Sequence, residues 1–94
     1  MEFTNEQAKI IVYADCEYGV ETAVNTLKKM GFNTSSYYRQ TRRHPDDDDV
    51  NLDAKNNLYK KLGITKQIEE VSDYIQNYEY SREEEETFEN FIES

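Results

Sequence analysis

The feature that most restricts the fold of this chain is the acidic segment at its C-terminal end. Residues 68–94 contain ten acidic side chains and one basic side chain, Arg82, and so carry a net charge of −9. Negative charge at this density opposes a compact state unless apolar side chains recur regularly enough to hold the segment in place. Phe88, Phe91 and Ile92 supply that recurrence, because residues three and four positions apart share one face of a helix.

Two local signals place helices in this acidic region. Ser81 followed by Glu84 forms the pattern of a capping box, which predicts a helix over residues 82–93. Before it, Ile68, Val71, Ile75 and Tyr78 recur at helical spacing and predict a helix over residues 66–78 with these four side chains facing inward. Residues 68–94 are therefore predicted to be a strongly acidic helical region.

The rest of the chain shows three further helical patterns. Thr4 and Gln7 form a second capping-box pattern at the start of a first helix. Apolar stripes ended by Gly31 and Gly63 predict helices over residues 20–30 and 50–62. Residues 9–14 and 34–41 leave an alternative open, because β-branched and aromatic side chains cluster there and favour short strands.

These patterns predict a mainly α fold, a small single-domain bundle of about five short helices over residues 1–94. The alternative is an α+β domain with short strands near residues 9–14 and 34–41. We expect Cys16 to be buried or half-buried in either fold.

The sequence carries no pattern of a catalytic, cofactor or metal site. A calcium loop starting at Asp47 needs glycine at its sixth position and glutamate at its twelfth, where the chain has Leu52 and Leu58. His44 and Cys16 are the sole histidine and cysteine, too few for a zinc site or a catalytic pair. We therefore predict that the protein is not an enzyme and uses no cofactor or metal.

Targeting signals are also lacking in the sequence. No apolar run reaches the roughly 18 residues of a membrane span, and the first residues lack the basic start and apolar run of a signal peptide. A single cysteine is typical of a reducing compartment. These features predict a cytoplasmic protein.

The charge is distributed unevenly, and this asymmetry predicts a binding surface. Residues 1–44 hold five acidic and six basic side chains, whereas residues 45–94 hold fifteen and five. On two neighbouring helices the acids would approach the linear charge density of duplex DNA, about one charge per 1.7 Å. We predict that they bind a partner and contribute nothing to folding. The predicted partner-binding residues are Glu69, Glu70, Asp73, Glu79, Glu83, Glu85, Glu86, Glu89 and Glu93.

The one cluster of basic residues is too small to predict binding of nucleic acid. Arg39, Arg42 and Arg43 are few against a total charge of −9, and the summed field repels a polyanion. We expect these arginines to pair internally, with the Asp46–Asp49 run or with the C-terminal acids. Direct binding of DNA or RNA is not expected.

In size and composition, the chain resembles the small acidic inhibitors that phages and mobile elements encode, including DNA mimics of the anti-restriction and anti-CRISPR kind. This resemblance implies an acidic interaction module that blocks a basic, nucleic-acid-binding surface of a host protein. The alternative is a helical adaptor or assembly module that binds through an apolar face, with its acids merely solvated. Ionic strength distinguishes the two, because a charge-driven complex weakens steeply with salt and an apolar one barely does.

Overall fold

A computed structural model describes residues 2–37 and 48–94, with the side chains of residues 48–51 left out. Five helices make up most of this part: α1 (Asn5–Glu17), α2 (Val20–Lys29), α3 (Asp48–Leu62), α4 (Thr65–Gln76) and α5 (Arg82–Glu93). The prediction of a mainly helical protein is confirmed. Of the two alternative strands, the one near residues 9–14 is wrong, because these residues lie inside α1, and residues 35–37 within the other are helical. The described residues contain no strand. Residues 38–41 of the second predicted strand lie outside the described part.

Helix α1 is the centre of the fold, with α2, α4 and α5 packed against it. It buries side chains around most of its circumference, which is typical of a helix enclosed by others. This position explains why residues 9–14 have strand-like composition in a helix: the core requires bulky apolar side chains on several faces. The buried residues of α1 are Ala8, Ile10, Ile11, Val12, Tyr13 and Ala14.

The predicted helix starts at the two ends of the chain are confirmed. The Thr4 hydroxyl accepts from the backbone N–H of Gln7, whose side chain accepts from the backbone N–H of Thr4. Ser81 and Glu84 form the same reciprocal pair at the start of α5. Each capping box satisfies two N–H groups that a helix start leaves without partners.

Three helices end in the same Schellman motif, with a left-handed residue just after the cap. That residue is Gly31 after α2 (φ 98°), Gly63 after α3 (φ 74°) and Tyr78 after α4 (φ 54°). Its N–H and the next N–H reach back to the preceding turn, as the motif requires. After α2, the N–H groups of Gly31 and Phe32 donate to the carbonyls of Lys28 and Leu27. After α3, those of Gly63 and Ile64 donate to Lys60 and Tyr59. After α4, those of Tyr78 and Glu79 donate to Ile75 and Tyr74, and all six distances are 2.9–3.1 Å.

Two expectations about individual residues are wrong for reasons that this geometry gives. Tyr78 was expected to face inward at the end of a helix over residues 66–78, but α4 stops at Gln76. The left-handed turn points Tyr78 outward, and 71% of its surface is exposed. Cys16 is exposed rather than buried, because it lies in the last turn of α1, beyond the enclosed stretch.

No helix within residues 2–37 and 48–94 is both long enough and apolar enough to cross a membrane.

One buried hydroxyl gives a stability prediction. Tyr59 is 4% exposed, and its hydroxyl has no hydrogen-bond partner among the described residues. An unsatisfied buried hydroxyl costs about 1–3 kcal/mol, so Tyr59→Phe is expected to raise the free energy of unfolding by about 1 kcal/mol. Tyr37→Phe is the matched control, because the Tyr37 hydroxyl donates to Glu21 at 3.2 Å and its loss should destabilise. Urea unfolding that shows equal losses for both variants would contradict the prediction.

Candidate acidic binding surface

Helix α5 is attached to the body through one fully buried ring. Phe88 has no exposed surface, and its ring lies 5.3 Å from that of Tyr13 on α1 and 5.9 Å from that of Tyr80. Phe91 and Ile92 are half-buried beside it. The apolar face predicted from spacing therefore faces α1, and the acids occupy the flanks and the outer face.

The outer face of α5 carries exposed carboxylates. Glu83, Glu86 and Glu93 are exposed and lie opposite Phe88, since each is offset from it by well over a quarter turn at 3.6 residues per turn. Neither Glu83 nor Glu86 has a hydrogen-bond or ion-pair partner through its carboxylate among the described residues. The carboxylates of these two residues are therefore available to a partner, and Glu83 also lies in the first turn of α5, where negative charge stabilises the helix.

Glu85, Glu89 and Glu93 are held by tyrosines from α1 and its C-cap. The Tyr13 hydroxyl donates to Glu89 at 2.8 Å and to Glu85 at 3.3 Å, and the Tyr18 hydroxyl donates to Glu93 at 3.3 Å. Glu85 and Glu89 are accordingly half-buried. For these two residues, the expectation that the acids contribute nothing to folding is corrected: their carboxylates satisfy a buried phenol.

The use of phenols matters because a neutral donor leaves the carboxylate charge in place. Burial, and after it the hydrogen bond to Glu89, raises the pKa of Tyr13. The hydrogen bond to Glu84 raises the pKa of Tyr74 to about 12. These phenols therefore stay neutral donors near pH 7. Within the described part of the chain, the one ion pair that α5 makes joins Lys9 to Glu84 at 3.6 Å.

A lysine from α2 binds the C-terminal end of α5. The ammonium group of Lys29, from α2, donates to the backbone carbonyls of Phe91, Ile92 and Ser94 at 2.8–2.9 Å. The carbonyl end of a helix carries partial negative charge, and a cation there is stabilising. Lys29 thus offsets the unfavourable placement of Glu93 in the last turn without forming a salt bridge to its carboxylate.

The predicted acids of α4 are divided between two flanks. The Tyr74 hydroxyl donates to Glu84 at 2.7 Å, so this flank of α4 faces α5, and Glu70 lies on it one turn earlier. Glu69 lies on the other flank, where it lines a cavity of about 240 Å³ together with Lys55 and its ion-pair partner Asp15. Asp73 lies between the flanks and is exposed.

The predicted partner-binding residues therefore do not all lie on one surface. Those of α5 lie on the flanks and outer face of that helix, Glu70 lies on the flank of α4 that carries Tyr74, and Asp73 and Glu79 are exposed at and after the end of α4. Glu69 is directed toward the α3 side instead. We use "acidic surface" below for the exposed carboxylates of Glu70, Asp73, Glu79, Glu83, Glu86 and Glu93.

Glu84 gives a prediction for the dependence of stability on pH. The hydrogen bond from Tyr74, followed by that from the backbone N–H of Ser81, lowers the pKa of Glu84 from its usual 4.5. A carboxyl with a lowered pKa in the folded state stabilises that state above its unfolded pKa, and the contribution is lost as pH falls through the folded value. Glu84→Gln preserves a capping side chain but cannot titrate. Its urea midpoint should therefore fall less than that of the parent protein below pH 4.5.

Glu83→Gln serves as the control for this measurement. It removes the charge of the residue next to Glu84, and the Glu83 carboxylate has no partner among the described residues. Its pH profile should follow that of the parent protein. Identical profiles for Glu84→Gln and the parent would contradict the assignment of Glu84.

Sequence reasoning missed the donors that hold these acids. Tyr13 and Glu89 are 76 positions apart, and Lys29 and Phe91 are 62 apart, so no local spacing connects them. The predicted pairing of Arg39, Arg42 and Arg43 and the Asp47 loop start lie outside the described residues. Among the residues that are described, no group of three or more His, Cys, Asp or Glu side chains is arranged to hold a metal ion.

No protein-family model matches this chain, and neither a curated protein nor a solved structure shows significant similarity to it.

Proposed function

We propose that this protein is an acidic interaction module that binds a basic, nucleic-acid-binding surface of another protein and blocks it. An inhibitor of phage or mobile-element origin that mimics nucleic acid has this activity. The observation that carries the proposal is the way α5 keeps its charge. Four of its glutamates, Glu84, Glu85, Glu89 and Glu93, accept hydrogen bonds from neutral phenols, and Glu83 and Glu86 are exposed and form no ion pair with the described residues.

The charge density of α5 supports this proposal. Twelve residues of helix are about 18 Å long and here carry six glutamates and one arginine. That is about half the linear charge density of duplex DNA, which has about one charge per 1.7 Å. Glu70, Asp73 and Glu79 on the neighbouring segments add to it. A basic groove that neutralises phosphates would meet carboxylates at comparable intervals along this side.

The rigidity of the surface supports the proposal as well. Charged side chains that are ordered before binding lose less conformational entropy on association. The hydrogen bonds from Tyr13 and Tyr18 restrain Glu85, Glu89 and Glu93, and the capping box restrains the start of the helix. Of these three, Glu93 belongs to the acidic surface, and Glu85 and Glu89 lie on the same helix beside it.

The alternative, an adaptor that binds through an apolar face, receives less support. Among the described residues, the exposed large hydrophobic side chains are Tyr18, Leu52 and Tyr78, which come from three separate segments. Exposed apolar residues that occur singly are ordinary on protein surfaces. The α4–α5 side therefore remains the better candidate for an interface.

Competition with DNA tests the proposal. The protein is immobilised, incubated with cell lysate, and then washed with a short DNA duplex at constant ionic strength. We expect the captured proteins, identified by mass spectrometry, to be nucleic-acid-binding proteins that the duplex releases. The isolated protein itself should not shift the duplex in a gel. Captured proteins that resist the duplex, or a direct shift of the duplex by this protein, would contradict the proposal.

A further inference from the structure

Tyr78 stands at a position where the same chain twice uses glycine. The Schellman motifs after α2 and α3 have Gly31 and Gly63 at the left-handed residue, whereas the motif after α4 has Tyr78 at φ 54°. Among the described residues it is the one non-glycine with positive φ. A side chain in this conformation destabilises the folded state relative to glycine, because Cβ crowds the following carbonyl.

The fold gains little from the ring in return. Tyr78 is 71% exposed, and its ring contacts that of Tyr80 at 6.0 Å between centroids. The hydroxyls of Tyr13, Tyr18, Tyr37 and Tyr74 donate to carboxylates, but that of Tyr78 has no partner among the described residues. Since strained residues persist where function requires them, the cost points to a role outside the free protein.

Acidic residues neighbour Tyr78 along the chain, and carboxylates act on the tyrosine ring that it contacts. Glu79 follows directly, and Asp73 lies one turn before the end of α4, both exposed. Burial, and after it the carboxylates of Glu85 and Glu17, raises the pKa of Tyr80, whose ring contacts Tyr78. An aromatic face in a negative field favours a cation above it.

We propose that Tyr78 is an aromatic anchor of the acidic surface, on which an arginine side chain of the basic partner stacks. This inference rests on the proposed function and names a contact within it. Guanidinium fits better than ammonium, because it is planar, stacks on aromatic rings and is more weakly hydrated. Tyrosine and arginine are also enriched among the residues that dominate binding energy in protein interfaces.

Two peptides of equal charge, nona-arginine and nona-lysine, test the anchor. Their dissociation constants are measured by NMR titration of the parent protein and of Tyr78→Gly and Tyr78→Phe. Tyr78→Gly relieves the backbone strain, so its urea midpoint should be unchanged or higher. We expect it to lower the preference for nona-arginine over nona-lysine about two- to fivefold, the range of an exposed cation–π contact. Tyr78→Phe keeps a ring and should keep the preference.

The outcomes separate this inference from the proposed function. If both peptides bind and the glycine variant retains the full arginine preference, the anchor is wrong while the acidic surface stands. If neither peptide binds the parent protein, the proposal that the acidic surface binds basic partners is wrong, and the proposed role of Tyr78 is wrong with it. A lower urea midpoint for Tyr78→Gly would also overturn the inference, because the ring would then serve the fold.

Discussion

Replacing Phe88 by alanine is expected to destabilise the protein by about 3–5 kcal/mol, the range for removing a large buried aromatic side chain. Phe88 has no exposed surface and packs against the rings of Tyr13 and Tyr80. Its loss leaves a cavity between α1 and α5, and with it the contact that holds the acidic helix on the body. A loss of this size is a large part of the 5–15 kcal/mol by which small domains are stable. Urea unfolding followed by circular dichroism measures it.

Asn90→Ala is the control for Phe88, since Asn90 is exposed on the opposite side of the same helix. We expect it to change the free energy of unfolding by no more than about 0.5 kcal/mol. Phe91→Ala should fall between the two, because Phe91 is half-buried. A loss below about 1 kcal/mol for Phe88→Ala would show that α5 is not anchored by this ring.

The helix starts were predictable because their signals are local. A capping box is read from two residues three positions apart, and both boxes in this chain form as expected. The end of α4 was not predictable in the same way. Gly31 and Gly63 mark the ends of α2 and α3, but Tyr78 occupies the equivalent position after α4. Because Tyr78 is aromatic and follows Ile75 at helical spacing, the sequence instead predicts that the helix continues and that Tyr78 is buried.

The candidate site was predictable in its composition but not in its internal organisation. The charge count identifies the acids of residues 68–94 without reference to the fold. It does not distinguish Glu86, which points outward, from Glu89, which accepts from Tyr13. That distinction depends on contacts between the two ends of the chain, and a single sequence contains no spacing that reveals them.

The double variant Glu83→Lys/Glu86→Lys is expected to weaken capture of a basic partner at least tenfold. Two attractive charge pairs become repulsive, and a pair at 4 Å is worth about 1 kcal/mol in water and about 4 kcal/mol near a protein surface. A loss of 1.4 kcal/mol already corresponds to tenfold. The fold should persist, because both side chains are exposed and their carboxylates have no partner among the described residues. Binding is measured by titration of the captured partner.

Glu84, Glu85 and Glu89 are left unchanged in this variant, because their carboxylates serve the cap and Tyr13. The control is Glu2→Lys/Asp53→Lys, which alters the net charge equally at exposed positions outside the acidic region. We expect it to retain most of the affinity. Equal losses for the two double variants would mean that net charge, and not this surface, determines binding.

The ionic-strength dependence of the complex tests the central claim most directly. The dissociation constant of the parent protein for its captured partner is measured by titration from about 50 to about 200 mM salt. Proteins that make six to ten phosphate contacts lose about 10³–10⁵ in affinity over this range. For a carboxylate surface that takes the place of those phosphates, we predict a loss of at least tenfold, reduced in Glu83→Lys/Glu86→Lys. A dissociation constant that stays within twofold across the range would contradict the account and favour binding through an apolar face.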